Sequence, residues 1–517
     1  MAVEEIPTTK EIATEEVRTT DTQNFDKAPR EDVSYLDEGE IFLGEHGFEP
    51  ETVRELLSDE QATKKLVRKV DLLLLPLMVG TYLFQYIDKQ ALSYGAVFDI
   101  RQNTHMTTNQ YSWLTSIFYF AFLVSTYPWQ ILAQKTRMAK VVAGNIIAWG
   151  AMLMVTASCH NFTGLAICRF LLGVFEAPIT PLFMMIIGMW YSRQEQPFRA
   201  GIFYSTNGMG IMLGGIFTYG IGQIDNFPVW KAIFLVCGGL TFLWGFVVLR
   251  FLPDSIFTAK GFTLEHKAML IGRAKVGRTG VFNRKIKWYQ VKEALTDPQV
   301  LILTLFMLLN ETINGGLAPF GKLILKGIVT DSLQTVALGI PLGAFFIFWV
   351  LSGTYLASRF KNVRCIVMSI YVIPTLIAVI CFWKGDRKHY KVGMLFAYYI
   401  QGAYCCSLII ALQMPGANLS GYTKRATATC MVFAAYCAGN IIGPHAFLAE
   451  EAPTYPTGCK LMLSCAAAMI VLAQVLRFVL IRRNKERDAA AAALTDPTEE
   501  VGADITDFEN PNFRYVY

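Results

Sequence analysis

Between residues 70 and 481 the chain repeats one pattern: an apolar run of about 20 residues, then a polar break. A helix rises 1.5 Å per residue, so such a run matches the ~30 Å hydrocarbon core of a bilayer. The runs fall at about 70–88, 111–132, 141–159, 164–188, 200–222, 229–252, 299–320, 334–356, 365–383, 392–414, 427–449 and 461–481, twelve in all. Backbone polar groups find no water in lipid, so helices and closed barrels alone span it. Runs of this length predict an all-α polytopic membrane protein.

Composition agrees, with 53% hydrophobic and only 17% charged residues. That is too apolar for a soluble domain of this length. The apolar residues are blocked between a polar N-terminal stretch, 1–69, and a polar C-terminal stretch, 484–517. The first 60 residues are acidic and lack an apolar core, so no signal peptide is expected. The net charge of +5 is small and does not point to nucleic acid. The eleven cysteines show no C-x-x-C or Cys/His ligand spacing and read as small buried residues. No metal or other cofactor is expected. Six scattered histidines form no catalytic box, so an enzyme is not expected either.

An even number of spans places both termini on one side. Lys/Arg bias chooses the side. With the N-terminus inside, the inner loops hold Lys135, Arg137, Lys140, Arg359, Lys361, Arg364 and nine basic residues between Lys260 and Lys292. Both termini are therefore predicted to be cytoplasmic. The longest internal break, 253–298, divides the chain into bundles at 70–252 and 299–483 and includes an amphipathic stretch at Thr263–Ala274. A repeat supports the division. Lys135, Arg137 and Lys140 follow the second span, and Arg359, Lys361 and Arg364 follow the eighth in the same spacing, each after a Leu-Ala pair. Recurrence six spans later is the mark of a duplicated half. These six residues are the candidate gating loops.

Charges inside the spans are the candidate site. Arg169 and Glu176 lie seven residues apart, on one helix face and about 10 Å apart along its axis. An ionised side chain in a bilayer costs at least a few kcal/mol unless it faces protein or water, so the pair points to a polar cavity. Asp88 and Lys89 end the first apolar run and enter the membrane if the helix continues to Val97. Asp88 and Glu176 are the candidate proton carriers. Arg169, with its planar fork, and Lys89 are candidates for holding a carboxylate. In the second half, Asn310, Glu311, Asn314, Gln401 and Gln413 are polar groups in apolar runs. Asn310, Asn314 and Gln401 are candidates for reading the other end of a substrate. Asn440 with Gly439, and Gly443 with Pro444, read as helix-crossing or kink residues.

Ordered matches run the length of the chain: Tyr86–Leu92, Gln110–Leu114, Arg169–Pro178, Met189–Tyr191, Phe251–Ser255, Lys287–Ala294, Asn314–Gly316, Gly439–Pro444 and the tail Thr506–Tyr515. With these the chain resembles the major facilitator superfamily, its anion:cation symporter group, and the fungal allantoate permease-like transporters within it. Two departures stand out. Gln134 lies where the first gate motif has an acidic residue, and Thr126-Tyr127-Pro128 replaces a Glu-Tyr-Pro. The resemblance implies two pseudo-symmetric six-helix bundles and proton-coupled import of a small organic anion, such as allantoate, nicotinate or pantothenate. It also implies a monomeric carrier in the plasma membrane. Export of a fungal secondary metabolite and a transporter-like nutrient receptor are the alternative readings.

Overall fold

The computed structural model describes residues 42–191, 195–276, 287–329, 331–386, 389–492 and 505–517. Helices account for nearly all of it. A short helix α1 (Pro50–Ser58) leads into α2 (Glu60–Val97), the first span, whose N-terminus is capped by the Asp59 carboxylate. A short turn of helix, α3 (Ile100–Asn103), precedes α4 (Thr108–Lys135), which opens on a capping box between Thr107 and Gln110. Then come α5 (Met138–Thr156) and a span broken at Pro178 into α6 (Phe162–Glu176) and α7 (Ile179–Trp190). Helices α8 (Gln196–Ile221) and α9 (Val229–Phe251) complete the first half.

Two linker helices, α10 (Leu264–Val276) and α11 (Trp288–Thr296), join the halves. The second half holds α12 (Pro298–Val329), a broken span of α13 (Ser332–Gly339) and α14 (Pro341–Arg359), and α15 (Arg364–Lys384). A second broken span, α16 (Lys391–Ile400) and α17 (Tyr404–Asn418), is interrupted by a 3₁₀ turn at Gln401–Ala403. Helices α18 (Tyr422–Ile442) and α19 (Pro456–Ala492) end the bundle. Eleven of these passes are long and apolar enough to cross a membrane; α8, 26 residues long, packs among them as the twelfth.

The packing repeats after six spans. In the first half α2 packs on α8, α4 on α6, and α5 on α9; in the second, α12 packs on α18, α14 on α17, and α15 on α19. Small residues allow the close crossings. A Cβ on Gly439 would lie 2.5 Å from the Leu308 carbonyl of α12, and one on Gly443 2.3 Å from that of Thr312. Any larger residue would part α12 from α18.

The linker, the N-terminal segment and the C-terminal tail share one face. Val53 of α1 packs with Ala268 and Ile271 of α10. The final residues, 505–517, fold back against the second half. Lys424, at the start of α18 and buried, meets Glu293 at 2.7 Å, Asp297 at 3.2 Å and Asp507 of the tail at 2.7 Å. Arg487 of α19 donates to the Asn510, Phe513 and Asp507 carbonyls and to the Tyr515 hydroxyl. Burial and the adjacent Asp507 carboxylate push the Tyr515 hydroxyl above its ordinary pKa. The polar tail expected from composition thus includes a docked strap. Gly421, at φ +85°, makes the turn before α18, where Gln290 of α11 accepts from the Thr423 and Lys424 amides.

The halves are tied at the opposite face. Tyr111 donates to the Pro319 carbonyl, Ser112 to Pro444, and Ser116 to Ile441. Lys326 meets Asp99 at 3.1 Å, and Ser332 donates to the Val97 carbonyl. The space between the halves is therefore closed at the face away from the termini.

Candidate functional site

A cavity of about 230 Å³ lies between the halves, walled by α2, α4, α6, α12, α17 and α18. From the first half it takes Lys89, Arg169, Gln85, Gln90, Tyr82 and Tyr119; from the second, Asn314, Tyr436 and Asn440. Its wall is largely apolar, and the predicted cations Lys89 and Arg169 face this protein-walled space rather than lipid.

Lys89 and Glu176 meet here. The Lys89 ammonium stands 3.9 Å from Glu176 Oε1 and lies over the Phe118 and Tyr119 rings at 5.5 and 5.7 Å. Glu176 is fully buried, and neither carboxylate oxygen has a hydrogen-bond partner among the described residues. It ends α6 where Pro178 breaks the span. Arg169, two turns earlier on the same helix, lines the cavity; its guanidinium lies 6.0 Å from the Phe234 ring centre, and Nη2 has no described partner.

Asp88 sits elsewhere. Being adjacent to Lys89 on a helix, it points about 100° around the axis, away from the cavity. Its Oδ2 accepts from Trp149 Nε1 of α5 at 2.8 Å and from Thr241 Oγ1 of α9 at 2.6 Å. The carboxylate is fully buried and does not line the cavity. Three helices converge on Oδ2, while Oδ1 is buried with no hydrogen-bond partner among the described residues.

The second-half amides also divide. Asn314 lines the cavity and belongs to a polar cluster. It donates to Asn440 Oδ1 at 2.9 Å and Glu311 Oε2 at 3.2 Å, and accepts from the Tyr404 hydroxyl at 2.9 Å. Asn440 Nδ2 donates to Glu311 Oε2 at 2.6 Å. Asn440 was expected only to shape a crossing; it also lines the cavity. Asn310 is buried outside the cavity wall and donates to the Tyr404 carbonyl at 3.2 Å. Gln401 lines a smaller chamber of about 60 Å³ beside the first, and Gln413 is exposed on the outside of the bundle.

Of the basic loop residues, Lys135, Arg137, Lys140, Arg359 and Lys361 are exposed. Arg364 is half-buried and its backbone amide donates to the Tyr517 carbonyl. None of the six makes an ion pair among the described residues. The span 3 terminus is instead held by Asp254, which accepts from the Ala139 amide at 3.1 Å.

One buried cation escapes a reading by apolar runs. Lys322 lies past the end of the run at 299–320, but α12 continues to Val329 and encloses it.

Comparison with known proteins decides the family. The Major Facilitator Superfamily profile matches residues 78–444. The chain belongs to the Major Facilitator Superfamily. It is 35% identical over 478 residues to an uncharacterized transporter of Schizosaccharomyces pombe, covering 89% of this chain and 90% of the relative. Allantoate permease of Saccharomyces cerevisiae is 32% identical over 482 residues, covering 90% and 89%. Among solved structures, an inward-facing bacterial homolog of the human lysosomal transporter Spinster superposes with a TM-score of 0.57 at 16% identity. That match covers 79% of this chain and 96% of the other, and it bears on the fold alone. The chain is thus a multi-pass membrane transporter of the major facilitator fold, within a group of fungal transporters that includes allantoate permease.

Proposed function

We propose that this transporter carries a small organic anion together with a proton, by alternating access, and that the termini face the cytoplasm. The observation that carries the reading is the arrangement of Lys89, Arg169 and Glu176. Two cations line the cavity, and a buried carboxylate stands 3.9 Å from one of them. Arg169 keeps an unpartnered Nη2, a donor for an incoming carboxylate.

The coupling follows from competition. A substrate carboxylate held by Arg169 and Lys89 draws Lys89 away from Glu176. A bare buried carboxylate is costly, so Glu176 then takes a proton. The loaded carrier reorients with substrate and proton together. Once the proton leaves on the far side, Glu176 reclaims Lys89 and the anion loses a ligand. Asp88 holds α2 against α5 and α9 and so positions Lys89. Asn314 and Asn440 face the substrate from the other half.

The relatives support the chemical class: allantoate is a small carboxylate, and its permease covers nearly the whole chain. With the terminal face cytoplasmic, the ties at the other face close the outer side. The test is uptake by cells expressing the chain, comparing allantoate with its neutral amide under an inward proton gradient. Accumulation of the anion alone, lost in Glu176→Gln, supports the reading. Accumulation insensitive to a protonophore overturns it.

A further inference from the structure

Lys322 is buried in the membrane-spanning part of α12, and no carboxylate contacts it among the described residues. Its ammonium donates to Gln90 Oε1 and, at 2.7 Å, to Ser93 Oγ, both on α2. It lies 3.7 Å from the centre of the Tyr94 ring. Three neutral groups thus hold a cation where an isolated charge costs several kcal/mol. A purely structural role would be served better by an uncharged side chain.

Its position gives the reason. Lys326 is one turn further along α12, about 6 Å toward the closed face, and it meets Asp99 there. Lys322 opens onto the chamber of about 60 Å³ that it shares with Gln401, whose Oε1 has no described partner. Asn314 and Gln90 line both this chamber and the central cavity. From the closed face inward the cations run Lys326, Lys322, then Lys89, whose neighbours Gln90 and Ser93 hold Lys322; Arg169, two turns from the start of α6, lies at about the depth of Lys322.

We infer that Lys322 is an outer receiving subsite for a carboxylate, used before the anion reaches Lys89. This rests on the reading of the chain as an anion carrier. Gln90 and Ser93 belong to one half and Lys322 to the other, so the same contacts close the outer gate. When the halves part at that face, the ammonium loses both partners and is free to bind an anion. Closure returns Lys322 to Gln90 and Ser93 and passes the anion inward.

Cys405 lines both spaces and is a built-in reporter. Intact cells expressing the full chain are treated from outside with an impermeant anionic thiosulfonate (2-sulfonatoethyl methanethiosulfonate) or its trimethylammonium counterpart. Mass spectrometry reads the label at Cys405. The anionic reagent should react faster than the cationic one. Lys322→Gln should lower the anion-to-cation rate ratio about tenfold, and Lys322→Arg should restore it. An unchanged ratio in Lys322→Gln, or no label at Cys405 from outside, overturns the subsite. These reagents need no transport, so the result stands apart from the uptake comparison that tests the carrier reading.

Discussion

Lys89 of α2 and Glu176 of α6 stand 3.9 Å apart beside the cavity, and Gln85 of α2 is a second polar neighbour of the carboxylate. The distance is too long for a tight bridge. On the proposed mechanism, a ligand anion that attracts Lys89 meets little resistance, and the freed carboxylate accepts a proton.

Glu176→Gln mimics the protonated state permanently. It should reduce proton-driven accumulation by about tenfold or more while counterflow exchange of preloaded substrate persists. Paired assays of net uptake and exchange in the same vesicles check this. Equal loss of both would assign Glu176 to folding or binding instead.

Asp88→Asn keeps the acceptor for Trp149 and Thr241, so accumulation should survive. Asp88→Ala orphans both donors inside the bundle, each costing about 1–3 kcal/mol. Thermal unfolding of the purified variants should show a clear drop for Asp88→Ala and a small one for Asp88→Asn. Abolished accumulation in a well-folded Asp88→Asn would instead make Asp88 a second proton carrier.

The strap at the terminal face is a stability element. Lys424→Met leaves Asp507 buried without its cation and Asp297 with Arg483 alone, and breaking a buried pair costs about 3–5 kcal/mol. Removing residues 505–517 takes Asp507 away, leaves Lys424 with Glu293 and Asp297, and strips Arg487 and Asn484 of the partners the strap supplies. Thermal melting should therefore rank wild type above both variants. The truncated carrier should keep the wild-type Michaelis constant.

Much of this was legible in the chain. Apolar runs gave the spans because lipid leaves the backbone little choice. Arg169 and Glu176 stood out because charge is costly within such a run. What the sequence hides is direction. Asp88 and Lys89 are adjacent, yet one faces α5 and α9 and the other the cavity; the partners Trp149 and Thr241 lie on distant spans. Asn310 and Asn314 differ by one helical turn, and only the second lines the cavity. Lys322 looks like a helix flank because Gly321 and Lys322 end an apolar run, whereas packing carries the helix on to Val329. Lys424 reads as an ordinary inner-loop cation until the tail brings Asp507 to it.

On the proposed mechanism Arg169 captures an anion in exchange for the Lys89–Glu176 contact. The most direct test is transport into proteoliposomes under an imposed inward proton gradient, with allantoate, nicotinate and pantothenate each set against the matching neutral amide. The account predicts accumulation of at least one carboxylate but not of its amide. It also predicts a Michaelis constant raised about tenfold or more in Arg169→Lys, since a hydrogen bond to a charged group contributes about 1.5–3 kcal/mol. Equal accumulation of a carboxylate and its amide, or wild-type kinetics in Arg169→Ala, would contradict it.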